Sequence, residues 1–159
     1  MLENKKNRPD LTAITKNHPN YESSMLPSPL AGNGLSNQLT VEQAAKHFKL
    51  SAATLRKKIQ ANEIEAFSVG RQYRFTWASI WACESGHLPR IGNHARYKEN
   101  LLAKLDIALA LQISVRTVER WIFDGMPTRN VFGSVRLNPH DVTDWLRGRH
   151  IDLPDGWWH

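Results

Sequence analysis

The chain has 159 residues, 21 Lys+Arg against 15 Asp+Glu, a formal charge of +6 and a pI near 9.7. Its single Cys excludes an internal disulfide framework and fits a reducing, intracellular compartment. No window approaches the roughly 18 uninterrupted apolar residues of a membrane-spanning helix.

Residues 1–38 read as a disordered tail. They hold Pro9, Pro19, Pro27 and Pro29, with Gly32, Gly34 and many Asn and Ser, and no apolar period of 2 or 3.6. Met1 to Asp10 is followed by no apolar run, so it does not read as a secretory signal. A basic arm is the alternative, but the tail carries little of the surplus charge, which lies along residues 39–149. Charge spread in this way suits an extended polyanion, although modest basicity also serves solubility alone.

From Thr40 the pattern becomes regular. Thr40 and Gln43 have capping-box spacing, and Val41, Ala44, Ala45 and Phe48 form one helical face. After a break at Lys49 and Leu50, Ser51 caps a second helix with Leu55 and Ile59 inward, ending near Asn62. Phe67–Val69 and Tyr73–Phe75 flank Gly70-Arg71-Gln72, a hairpin signal. Thr76 caps a last helix that turns Ile80 and Cys83 inward with one or both of Trp77 and Trp81.

Residues 87–99, with Pro89 and Gly92, read as a linker. Extended, its 13 or so residues would span about 45 Å, enough to tether two separate units. The same grammar then returns: a helix near Leu102 to Leu111, a second capped by Ser114 with Val118, Trp121 and Ile122 inward, and Gly125 as its stop. Val131-Phe132 and Val135-Arg136-Leu137 flank Gly133-Ser134. Asn138-Pro139-His140-Asp141 opens a last helix with Val142, Trp145 and Leu146 on its stripe. An offset of 63 matches Ser51 to Ser114, Thr54 to Thr117, Leu55 to Val118, Ile59 to Ile122 and Gly70 to Gly133. A one-residue deletion after the glycine then matches Arg74 to Arg136. Two periods are too few for a solenoid, and read as two copies of one small domain.

Helix, tight turn, helix, two-stranded wing, helix is a winged helix-turn-helix. The expected fold is mainly α with small β wings: a tail (1–38), a first domain (39–86), a linker (87–99), a second domain (100–149) and a C-terminal tail (150–159). ISVRTVERWIFDGMP followed by VFGSVRLNPHDVTDWL, and more loosely LSAATLRKKIQANEI followed by VGRQYRFTWASIW, resemble the MerR/excisionase-like winged helix-turn-helix superfamily. Lys58 departs from that pattern at the place Trp121 occupies, and neither copy continues into the long dimerisation helix of full MerR regulators. The resemblance implies the small excisionase-like members: recombination directionality factors, phage and plasmid regulators, and terminase small-subunit DNA-binding domains.

In such a fold the second helix presents its N-terminal residues to base edges in the major groove. The candidate DNA-binding residues of the first copy are Ser51, Ala53, Thr54, Arg56 and Lys57 on that helix, with Arg71, Gln72 and Arg74 on the wing. Those of the second are Ser114, Arg116, Thr117, Glu119, Arg120, Ser134 and Arg136. Arg56, Arg116 and Arg120 can read guanine bidentately. Glu119 either accepts from cytosine N4 or pairs with a neighbouring Arg. Ser51 and Ser114 serve first as caps and second as phosphate contacts. Trp157 and Trp158 either pack back on the second copy or meet a partner.

Catalysis is not expected. The seven His are scattered, Cys83 reads as a buried hydrophobe, and Gly32-Asn33-Gly34 lacks the context of a phosphate loop. No metal or cofactor is implied. The expected partner is double-stranded DNA, in the cytoplasm, with a recombinase, relaxase or other nucleoprotein and self-association on DNA as further candidates. A winged-helix protein adaptor is the rival class.

Overall fold

The computed structural model describes residues 37–159. The reading of residues 1–38 as a disordered tail therefore lies, up to residue 36, outside the described residues. Gln38 already belongs to the fold.

The first half begins with strand β1 (Gln38–Thr40) and helix α1 (Val41–Phe48). The capping box forms as its spacing demands: Gln43 N donates to Thr40 Oγ1, and Thr40 N donates to Gln43 Oε1. Val41, Ala44, Ala45 and Phe48 are buried. Lys49 ends the helix at φ 57, and Leu50 N reaches back to Ala45 O, which makes the tight turn. Ser51 then caps α2 (Ala52–Gln60), which buries Leu55 and Ile59. Strands β2 (Phe67–Val69) and β3 (Gln72–Thr76) form the hairpin, and β1 pairs with the other edge of β3. Thr76 caps α3 (Trp77–Ala82), which buries Ile80 and Trp81.

Short strand β4 (Glu84–Ser85) leads to a 3-10 turn (Ile91–Asn93) and helix α4 (His94–Tyr97). The order then recurs as α5 (Lys104–Ala110), α6 (Val115–Phe123), β5 (Arg129–Val131), β6 (Ser134–Arg136) and α7 (Pro139–Arg147). Even the turn between helices recurs: Gln112 takes φ 53, and Ile113 N reaches Ala108 O. Leu102 bridges Leu137 where β1 pairs with β3 in the first half. Asn138 caps α7 through the N–H groups of His140 and Asp141.

The register of the second hairpin differs from expectation. Its turn is Phe132-Gly133, with φ 49 and 85, not Gly133-Ser134. Positive φ at both central residues is the type I′ geometry, which suits the twist of the flanking strands. The first turn, Gly70-Arg71, has positive φ at Gly70 alone, and Gln72 is in β3. Arg129 therefore matches Phe67, and Phe132 matches Gly70. The one-residue deletion lies before the hairpin, where Pro127-Thr128 replace Ile64-Glu65-Ala66. Gly133 drew the sequence alignment one residue out of step, because glycine serves either central position of a primed turn.

The expected linker is also different. Residues 87–99 are folded against both halves: Trp81 Nε1 donates to Tyr97 O, Asn138 Nδ2 donates to Arg96 O, and Arg96 pairs with Asp144. Strand β4 crosses over as well, pairing with the outer edge of β5. In the reverse direction, Leu101 and Val131 complete the first core, against which Phe132 also packs. Leu101 N donates to His47 O. The separation that a free tether would allow is not available, because strand pairing and shared apolar burial join the halves.

Glu84 is the centre of this junction. Its carboxylate accepts from Arg129 Nη1 at 2.7 Å and contacts His47 Nε2 at 2.9 Å. The side chains of Glu84 and Arg129 are 1% and 6% exposed.

The second core holds Leu102, Ile107, Ala108, Val118, Met126, Leu137, Val142 and Leu146. Trp121 and Ile122 are half-buried at its margin. Trp157 and Trp158 pack back on this core, with Trp157 Nε1 donating to Thr143 Oγ1 at 2.8 Å. No helix among the described residues is long and apolar enough to cross a membrane.

Candidate nucleic-acid interface

Helix α2 turns Ala53, Arg56, Lys57 and Gln60 to solvent because Leu55 and Ile59, four residues apart, take the inward face. Ser51 Oγ accepts from Thr54 N at 3.0 Å and lies 2.8 Å from Thr54 Oγ1. Both hydroxyls thus serve the cap, which contributes about 1 kcal/mol to the helix.

The first wing stands beside this helix. An open groove of about 260 Å³ runs between α1, α2 and the hairpin, lined by Thr40, Glu42, Arg56, Arg71, Gln72, Tyr73 and Arg74. It brings together four of the candidate residues, three of them arginines. Arg71 is exposed at the turn, whereas Arg74 is half-buried and braced by Gln72 Oε1 and the Tyr73 carbonyl. Glu42 accepts from Arg56 at 2.7 Å. Its carboxyl is held below the usual range by its own backbone N–H, then by the Thr40 hydroxyl and Arg56. Both partners are exposed, so the pair is weak and Arg56 can exchange Glu42 for another anion.

Sequence reading missed Glu42 and Tyr73. The first had no signal, since its partner lies 14 residues away. For the second, strand alternation misleads. It puts Tyr73 on the same face as buried Phe75, yet Tyr73 stands near the turn and is exposed.

Helix α6 exposes Arg116, Glu119, Arg120 and Phe123, with Thr117 partly covered and Ser114 as its cap. Glu119 is occupied by Lys104 of α5. That is the cation-pairing reading, with a lysine rather than an arginine. The second wing is placed unlike the first. Arg136 donates from Nε to Phe48 O at 2.9 Å and from Nη2 to Lys49 O at 3.1 Å, capping the C-terminus of α1. Burial pushes its pKa down while Asp106 pulls it up. The structure thus gives Arg136 a junction role rather than an outward-facing one, and Ser134 beside it is half-buried. Lys58 also turns to the junction. Its Nζ lies 5.2 Å from the Phe132 ring centre and pairs with Glu63.

Cys83 is half-buried, with Sγ 3.3 Å from Ser79 O. Burial first, then Glu84 and Glu63, pushes its thiol up to about 11. A thiol so protonated is a poor nucleophile.

A protein-family comparison bears on the first of these surfaces. Residues 39–80 match the helix-turn-helix domain family. The match spans β1 to Ile80 in α3 and takes in α2 and the whole first wing. Within the matched segment, α2 is the second helix of the helix-turn-helix. No curated protein and no solved structure matches the chain.

Proposed function

We propose that this chain is a sequence-specific double-stranded DNA-binding protein built from two winged helix-turn-helix units, with α2 and α6 as its reading helices. The observation that carries the reading is the convergence of Arg56, Arg71 and Arg74 on one groove of the helix-turn-helix segment. Arg56, Arg116 and Arg120 read base edges, while Lys57, Arg71 and Arg74 meet phosphates. The protein performs no catalysis and needs no metal or cofactor. It works in the cytoplasm on the DNA of a phage, plasmid or integrative element. There it is an excisionase-like architectural factor or a transcriptional regulator, with relaxosome, replication or packaging accessory as the alternative role.

A specific observation favours a protein partner as well. Leu105 and Leu109, exposed by 56% and 69% on α5, stand where the first half has Glu42 and Lys46. A recombinase, a relaxase or a second molecule on the same DNA would cover them.

The test is selection of duplexes from a random library by the full chain, followed by footprinting. A defined protected sequence is expected, with affinity falling steeply as salt rises. Equal affinity for all duplexes at physiological salt would refute the reading.

A further inference from the structure

We infer that the protein holds its two reading helices at one fixed separation and rotation, with Glu84 as the positioning residue, so that half-site spacing is itself read. This rests on the DNA-binding reading above.

Each reading helix is anchored in its own core. Leu55 and Ile59 seat α2 in the first core, and Val118 seats α6 in the second. Whatever fixes the cores fixes the helices. Three kinds of contact do so: β4 pairs with β5, Leu101 and Val131 enter the first core, and Arg136 caps α1. Glu84 binds them together, because it stands on β4, holds Arg129 of β5 and meets His47 of α1. A buried carboxylate sharing two partners has a narrow geometry, since tilting one half breaks one of the two interactions in a site closed to water.

DNA converts such rigidity into specificity. Each added base pair moves the far half-site by about 3.4 Å and turns it by about 34°. A flexible tether follows this movement, whereas a fixed pair of helices does not.

The experiment uses the full chain and the duplex selected above, with one to five and then ten base pairs inserted between its two protected half-sites. When the second helix can no longer engage, the effective-concentration gain is forfeited, so affinity should fall about 100-fold or more on short insertions. Ten added base pairs should not restore it, because rotation is recovered but distance is not. Folded Glu84→Gln keeps the β4–β5 pairing and the Leu101 and Val131 burial, so it should only soften the penalty of a one-base-pair insertion, while keeping its affinity for a single half-site. A merely structural role for Glu84 would leave the spacing profile unmoved, and that result overturns its assignment. If Glu84→Gln does not fold, the wild-type series together with Arg136→Ala decides the matter. A tenfold loss or less, recovery at ten base pairs, or protection of one half-site alone overturns the inference and leaves DNA binding standing. Absence of any selected sequence overturns both.

Discussion

Replacing Glu84 by alanine should destabilise the protein by about 4 kcal/mol. The side chains of Glu84 and Arg129 are almost wholly covered, so the substitution strands a guanidinium and removes the partner of His47 Nε2. Breaking one side of a buried pair costs about 3–5 kcal/mol. A domain of this size is stable by only about 5–15 kcal/mol, so the loss is a large share of the whole. With a urea slope of about 2 kcal/mol/M, the unfolding midpoint should fall by about 2 M. Tryptophan fluorescence reads both halves, since Trp77 and Trp81 lie in one and Trp121 and Trp145 in the other. A single transition is expected, because the halves share apolar residues as well as the carboxylate. The double substitution Glu84→Leu/Arg129→Met, which exchanges the charges for apolar volume, should recover part of the loss. A destabilisation below about 1 kcal/mol for Glu84→Ala, or two separate transitions in wild type, would refute the reasoning.

Further consequences are open to measurement. Arg71→Ala and Arg74→Ala should each lower the slope of log affinity against log salt by about 0.9 for every phosphate left unneutralised, whereas Arg136→Ala should lower stability and leave that slope unchanged. Arg56→Ala should weaken binding and relax base preference by about 1–3 kcal/mol at one position, read by footprinting against single-base variants of the site. Cys83 should be alkylated at pH 8 about 100-fold more slowly in the folded protein than in the urea-unfolded chain. With the folded thiol at about 11 and the unfolded one near 9, the gap holds below pH 9 and closes as pH rises toward 11. Gly133→Ala should cost about 1–2 kcal/mol through backbone strain alone, since φ is +85 and an added Cβ meets nothing within 4 Å. Thermal unfolding against Ser134→Ala as control measures it.

What could be read in the sequence was local. Capping at Thr40, Ser51, Thr76, Ser114 and Asn138 rests on residues within three of each other, and helical faces repeat every three or four. The outward faces of α2 and α6 followed from Leu55, Ile59 and Val118 by geometry alone. The junction was not legible, because it joins residues far apart in the chain. Arg136 looked like an outward wing residue, and only Phe48 and Lys49, almost 90 positions earlier, show otherwise. Residues 87–99 carry Pro and Gly and no period, and Tyr97 and Arg96 take their places from α3 and α7. One faint signal was present at Glu84: a carboxylate directly after an apolar helix, with no cation within the next two residues to answer it.

The lending of β4 to the far sheet, and of Leu101 and Val131 to the near core, limits how the gene can be divided. A polypeptide cut near residue 86 or 100 leaves one piece with an uncovered sheet margin and the other with a core lacking two of its fillers. Isolated pieces would therefore seek replacements in neighbouring molecules, by intermolecular strand addition or swapping of the severed segment. Transplanting one half onto a foreign protein requires carrying across the complementary surface from the other.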